Sequence, residues 1–247
     1  MKILITNDDG IDATGINCLA EALAEIGEVA VVAPDREKSA SSHAMTLHHP
    51  LRAVQVAPGR YAVDGTPTDC VNLGIHSLLD FHPDMVISGI NRGANLGDDV
   101  TYSGTVAAAM EATLMGIPAF AVSLATREED ADYSAAARFA VRLARQIERN
   151  GLPRDTFLNV NVPDVAADRL KPALVTIQGK RRYEGTIVDS VDPRGRSYYW
   201  IGTADLDFHD IDGSDFAALH RGHISVTPLH LDMTNHQALP ILRSWTF

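Results

Sequence analysis

Apolar residues fall in two periods along this chain. Short uninterrupted runs, KILIT (2–6) and EVAVVAP (28–34), read as strands buried on both faces. Between them, TGINCLAEALAEIG (14–27) places Ile16, Leu19, Leu23 and Ile26 at helical spacing and closes on Gly27. Strand, helix and strand in so short a span make a βαβ unit, which demands a parallel pair and a right-handed crossover. The alternation continues: VNLGIHSLLDF (71–81) predicts a helix, DMVISGI (84–90) a strand, GTVAAAMEATLMG (104–116) a helix and PAFAVSL (118–124) a strand. DYSAAARFAVRLARQIERNG (132–151) is the clearest amphipathic helix, with Ala137, Val141, Ala144 and Ile147 on one face and Arg138, Arg142, Arg145 and Arg149 on the other. FLNVNVP (157–163) and ISVTPLHLD (224–232) predict two more strands. Apolar strands alternating with helices indicate an α/β fold, a Rossmann-like three-layer α/β/α arrangement on a mostly parallel sheet.

After about residue 170 the pattern changes. Residues 175–202 alternate, carry aromatics and surround a DPRG turn, which predicts a C-terminal β-hairpin appendage. The tail, 233–247, ends in LRSWTF, where Trp245 and Phe247 call for a covering surface. The expected organisation is one domain over 1–247, with a core of about 1–170 and 220–232, the hairpin, and a tail of about 233–247 that seeks a partner subunit.

Composition narrows the function. A formal charge of -11 lacks the basic footprint that gripping polymeric nucleic acid requires. A small phosphorylated substrate is compatible with it, because one bound cation inverts the local field. Two cysteines, Cys18 and Cys70, make no disulfide framework and fit a reducing compartment. No apolar run has membrane-spanning length, and the N-terminal run is short for a signal peptide, so a cytoplasmic protein without a membrane partner is expected.

In open parallel sheets, ligands bind beyond the carboxyl ends of the strands. Three polar segments fall there: NDDG after the first strand, DREKSASS after the second, and SGINRGANLGDDVTYSGT after the strand at 84–90. The adjacent Asp8 and Asp9 repel each other, and a turn explains only one of them. With Ser39 and Asn91 they form an all-oxygen set suited to Mg²⁺ or Mn²⁺. Zinc would want clustered thiolate or imidazole, and the first βα turn lacks the glycine fingerprint of a nicotinamide dinucleotide site. Ser103, Gly104 and Thr105 open an alanine-rich helix, whose free N–H groups favour an anion, with ordinary capping as the alternative. On this reading a bulky side chain at Gly104 blocks phosphate and spares the metal. GTPTD (65–69) either shapes the substrate pocket or is a turn before a helix. His43 reads first as a surface-loop histidine and second as a general acid.

ITNDDGIDATGI, APDREKSASS, VDGTPTDCVNLG, SGINRGANLGDDVTYSGTVAAAMEA and GHISVTPLHLD resemble the signature blocks of the SurE survival-protein family, from residue 1 to about 232. The resemblance implies a metal-dependent phosphatase of nucleoside 5'- and often 3'-monophosphates, in some members also of short polyphosphate. It implies one divalent cation per subunit on Asp8, Asp9, Ser39 and Asn91, with Asp8 and Asp9 central to catalysis. It also implies phosphate contacts near Asn95 and at Ser103, Gly104 and Thr105, and dimers or tetramers built through the hairpin and tail. Ala40 stands where the family often has glycine. Two other readings use the same residues: a sugar-phosphate phosphatase, and a nucleotide-binding regulator without catalysis.

Overall fold

The computed structural model describes residues 1–247 except 129, 167, 183–186, 202–206 and 247. The expected contribution of Phe247, and parts of the predicted hairpin and of its flank, lie outside the described residues.

Six strands run parallel in the centre of a nine-stranded sheet. They are β1 (Lys2–Thr6), β2 (Glu28–Pro34), β4 (Arg60–Val63), β5 (Met85–Arg92), β6 (Ala119–Ala125) and β7 (Thr156–Pro163). Three more complete the sheet: β3 (Ala53–Ala57), β8 (Lys171–Val175) and β11 (His223–His230), giving the order β3-β4-β2-β1-β5-β6-β7-β11-β8. β3 is antiparallel to β4, and β11 is antiparallel to β7. Sequence order reverses around β1, which lies between β2 and β5. That is the switch point where such sheets open a crevice.

The period of two along each strand sends alternate residues to opposite helix layers. Ile3 and Ile5 pack with α1 (Thr14–Leu23) and α4 (Ser134–Asn150) in one core. Leu4, Val32 and Val86 pack with α2 (Pro67–Leu73) and α3 (Gly104–Leu114) in the other. α4 buries Ala137, Val141, Ala144 and Ile147 and exposes the four arginines, as its spacing demands. α3 is buried on nearly every side, which suits a helix rich in alanine.

Departures from the sequence expectation have local causes. The helix expected at 71–81 begins earlier, at Pro67, because Thr66 and Asp69 form a capping box. It then widens into a π-turn over Gly74–Leu78. GTPTD is therefore a helix start. Asp69 also accepts hydrogen bonds from the Thr46 N–H at 2.9 Å and its hydroxyl at 2.6 Å, pinning the loop that passes above. The β3–β4 hairpin and the short α5 (Asp215–His220) are additions to the expected elements. The expected hairpin at 175–202 is narrower: β9 (Ile187–Val191) and β10 (Ser197–Ile201) pair antiparallel as a separate two-stranded ribbon. Residues 171–175 instead join the main sheet as its edge. In the tail, α6 (Leu239–Leu242) is a single exposed turn.

Candidate active site at the sheet switch point

Asp8 and Asp9 follow β1 directly, and Asn91 lies near the end of β5, its neighbour in the sheet. The β5–β6 register shifts between Gly89 and Asn91, which re-aims the strand end. Any side chain at Gly89 would meet the Val122 carbonyl oxygen 2.2 Å from its Cβ. Asn91 Nδ2 donates to the Gly93 carbonyl at 2.8 Å, so its amide oxygen is left for the site.

Thr105 connects these groups. Its N–H donates to Asp8 Oδ2 at 3.1 Å, its hydroxyl donates to Asp8 Oδ1, and the same hydroxyl approaches Asn91 Oδ1 at 3.4 Å. Asp9 is held by the Arg92 N–H at 3.0 Å. Asp8 is buried, and burial raises its carboxyl above the usual carboxylate range against the pull of Thr105. Burial also raises Asp9, to about 6. The Arg92 N–H opposes that shift and the Asp8 charge adds to it. Two carboxylates held so close and so dry favour a cation between them.

The loop after β2 closes the site. Lys38 N–H donates to the Asp8 carbonyl at 2.7 Å, and Ser42 N–H to the Tyr102 carbonyl at 3.0 Å. Between them, Ala40 and Ser42 have φ of 55° and 53°. That left-handed backbone favours glycine, so the loop holds Ala40 and Ser42 in a conformation that side chains rarely adopt. Ser39 is exposed, and its hydroxyl donates to Glu37 at 2.5 Å instead of turning to the aspartates. Ser41 takes the inner position. Its buried hydroxyl has no hydrogen-bond partner, and it lies 2.5 Å from where a Cβ on Gly104 would stand. An orphaned hydroxyl beside Asp8 is an unused group directed at the same place as the carboxylates. Sequence reasoning missed Ser41, although it sits inside the quoted DREKSASS block.

The first turn of α3 is arranged differently from the sequence expectation. Its N–H groups are given to Asp8, and the Ser103 hydroxyl accepts from Val106 N–H at 3.1 Å as an N-cap. A buried carboxylate thus occupies the positive end of this helix. Asn95 is likewise committed. Its N–H donates to Asn161 Oδ1 at 2.8 Å, its Nδ2 donates to Ser123 Oγ at 2.9 Å, and its carbonyl accepts from Asn159 and Asn161. The asparagines of NVNVP satisfy the backbone N–H and carbonyl of Asn95. His43 lies against α3, with Nε2 2.6 Å from Glu111 Oε2, and Asn72 donates to the other oxygen of Glu111 at 2.7 Å. That contact holds the Glu111 carboxyl below its usual value.

A cleft of about 230 Å³ opens beside the carboxylates, lined by Asp9, Asp12, Glu37, Arg92 and Tyr133 among others. Among the described residues no three His, Cys, Asp or Glu side chains are grouped as a metal site. The donor set here relies on two carboxylates and an amide oxygen, with the Ser41 hydroxyl nearby and that of Ser39 turned to Glu37. Oxygen donors alone suit a hard divalent cation that keeps part of its hydration.

Thr105→Ala should therefore act on Asp8. A hydrogen bond to a charged group is worth about 1.5–3 kcal/mol, and where such a carboxylate ligates a metal, losing the side chain that orients it typically costs about 10–100-fold. Steady-state kinetics with a metal titration would measure it. Unchanged metal affinity and turnover would leave Thr105 with packing alone.

An open, doubly wound sheet with two adjacent carboxylates and an amide oxygen at its switch point defines an α/β protein whose polar site lies where such sheets bind their ligands. The family model of Survival protein SurE matches residues 3–185. The chain is 69% identical over 245 residues to 5'-nucleotidase SurE of Geotalea daltonii, covering 99% of each chain. It is 63% identical to 5'-nucleotidase SurE of Pelobacter propionicus over the full length of both. A crystal structure of SurE protein from Aquifex aeolicus superposes with a TM-score of 0.88, at 43% identity over 98% of each chain. The chain belongs to the SurE survival-protein family.

Proposed function

We propose that this chain is a metal-dependent phosphomonoesterase that hydrolyses nucleoside monophosphates to nucleoside and phosphate, with short polyphosphate as a further substrate. The observation that carries this reading is the convergence of Asp8, Asp9 and Asn91 through Thr105 and Arg92 at the switch point. The names of the relatives support the nucleotide as substrate. Asp8, Asp9 and Asn91 would hold one Mg²⁺ or Mn²⁺, with Ser39 or Ser41 completing the set from the loop above. Bound there, the cation would polarise a phosphoryl oxygen and acidify water. The chain's own residues do the rest: Thr105 fixes Asp8, Arg92 N–H fixes Asp9, and the loop at 38–42 covers both. The Ser41 hydroxyl has a donor to spare for a phosphoryl oxygen.

A panel of phosphorylated metabolites assayed with Mg²⁺, Mn²⁺ and chelator tests the reading. Phosphate release from nucleoside monophosphates, lost on chelation, is expected. Release from sugar phosphates only would favour the sugar-phosphate reading, and binding without release would favour a regulator.

The cation also has a signature in stability. In the metal-free protein the folded pKa of Asp9, about 6, lies above the ordinary value of 3.8, and Asp8 is shifted the same way. The contribution of Asp9 is fully present below the ordinary value and is lost as pH rises through about 6, and that of Asp8 is lost in the same direction. A cation selects the ionised pair and reverses that loss. Saturating Mg²⁺ or Mn²⁺ should raise the thermal midpoint by about a few degrees near pH 7.5, and far less near pH 5. Equal shifts at both pH values would separate the cation from these carboxylates.

We also infer a homo-oligomer. The ribbon of β9 and β10 exposes Ile187, Val188, Val191, Tyr199, Trp200 and Ile201, and edge strand β8 exposes Leu174 and Val175. A two-stranded ribbon is marginal alone, and an apolar area of this kind marks an association surface. Sedimentation at micromolar concentration should give a dimer or tetramer, and Trp200→Asp should shift it toward monomer. A monomer for the unaltered chain would refute the inference.

No helix is long and apolar enough to cross a membrane among the described residues. Cys18 and Cys70 are both free thiols, which supports a cytoplasmic setting.

A further inference from the structure

A larger cleft at this edge of the sheet begins at Gly93, two residues beyond Asn91. It measures about 620 Å³ and is walled by Ala94, Val165, Phe208, Phe216 and Arg181, among others. It starts at Gly93, whose carbonyl receives the Asn91 amide at 2.8 Å, so it adjoins the proposed position of the phosphoryl group.

Arg181 is the unusual member. Its side chain is only 7% exposed, and Nη2 pairs with Asp99. Nε and Nη1 are buried without a hydrogen-bond partner. The guanidinium sits 5.5 Å from the Phe216 ring centre, and Phe216 stacks on Phe208 at 5.0 Å with 9° between the planes. Buried donors left unmade are costly, and a folded protein retains them where a ligand makes them. The aromatic wall is itself held firmly: Asp215 accepts from the N–H groups of Gly97, Gly179 and Phe216 at 2.8–2.9 Å.

The lining selects the ligand's chemistry. Two stacked rings and aliphatic walls suit a flat, apolar-faced group. Asp99 and Asp164 also line the cleft, which disfavours a second phosphate. Arg181 supplies donors only, so the group must carry acceptors. We propose that this cleft is the nucleobase subsite, with Arg181 donating to ring nitrogen or carbonyl acceptors of the base and Phe208 contacting its face. The proposal rests on the nucleotidase reading and adds where the base is read.

The test compares kcat/KM for AMP with that for ribose 5-phosphate, which lacks the base, in the unaltered protein, in Arg181→Gln and in Phe208→Leu. The unaltered protein should prefer AMP, and each variant should lower the AMP to ribose 5-phosphate ratio by about tenfold, the scale of one lost hydrogen bond or stacking contact. A ratio near one in the unaltered protein would overturn the subsite, as would variants in which both substrates fall in parallel. Phosphate release from neither substrate would instead overturn the phosphatase reading itself. If Arg181→Gln fails to fold because the pair with Asp99 is broken, Phe208→Leu carries the comparison alone.

Discussion

Asp8→Asn is expected to lower turnover by about 1,000-fold or more, beyond the roughly 10–100-fold typical of residues that only orient a ligand. It should also leave the metal-free protein at least as stable as the parent. The two effects share one cause. Asp8 is buried, and desolvation raises its carboxyl above the usual range, so its negative charge works against folding when no cation is present. Asparagine has the same shape. Its amide oxygen can still accept from Thr105 N–H, and its amide nitrogen can donate to the Thr105 hydroxyl, which turns to accept. The substitution therefore removes the charge and keeps the packing. Thermal unfolding with and without Mg²⁺ should show the stabilisation by cation abolished in the variant. Wild-type turnover in Asp8→Asn would return Asp8 to the status of a turn residue.

Gly104→Val should remove activity and cation binding together, at a stability cost of about 1–3 kcal/mol for overpacking. A Cβ at 104 would lie 2.5 Å from the Ser41 hydroxyl and 3.0 Å from both Cβ and Oδ2 of Asp8. There is no room to relax, because Asp8 is held by Thr105 on the same helix turn and by Lys38 N–H from above. From sequence alone this substitution blocks a phosphate and spares the metal. The geometry reverses that expectation, since the space next to Gly104 belongs to Asp8. Mn²⁺ binding measured by calorimetry separates the two, and full metal affinity in Gly104→Val would restore the phosphate reading of YSGT.

This reversal shows where sequence reading reaches its limit. KILIT, EVAVVAP and the arginine-backed helix at 134–150 were legible because burial imposes a period over many residues. Their βα loops were legible because a parallel sheet must bring its carboxyl ends to one edge. The partners of individual donors carry no such period. YSGT reads as an open helix end, and only the fold reveals that Asp8, some hundred residues earlier, occupies it. Asn95 looks available in GAN, yet strand residues Asn159 and Asn161 claim its backbone. The edge pair β3–β4 carries little signal in the sequence, because Val54 and Val56 point into solvent and the usual contrast between faces is weak, although PG in VAPGRY is a usable turn signal. Arg181 was hidden inside a stretch read as hairpin. No local pattern distinguishes a buried arginine with spare donors from a charged residue on a ribbon.

The central place of β1 has a consequence for how the molecule is made. β1 needs β2 on one side and β5 on the other, and β5 begins at Met85. During synthesis the first strand leaves the ribosome about eighty residues before its second neighbour exists. The α3 turn that holds Asp8 comes later still, at Gly104 and Thr105. Until β5 is made, KILIT is an apolar segment with an open edge, the kind of surface that chaperones bind and that pairs wrongly with other chains. The nascent chain is thus most exposed to aggregation between the emergence of β2 and that of β5, and slowing translation inside that window should lower the yield of soluble protein more than slowing it after α3.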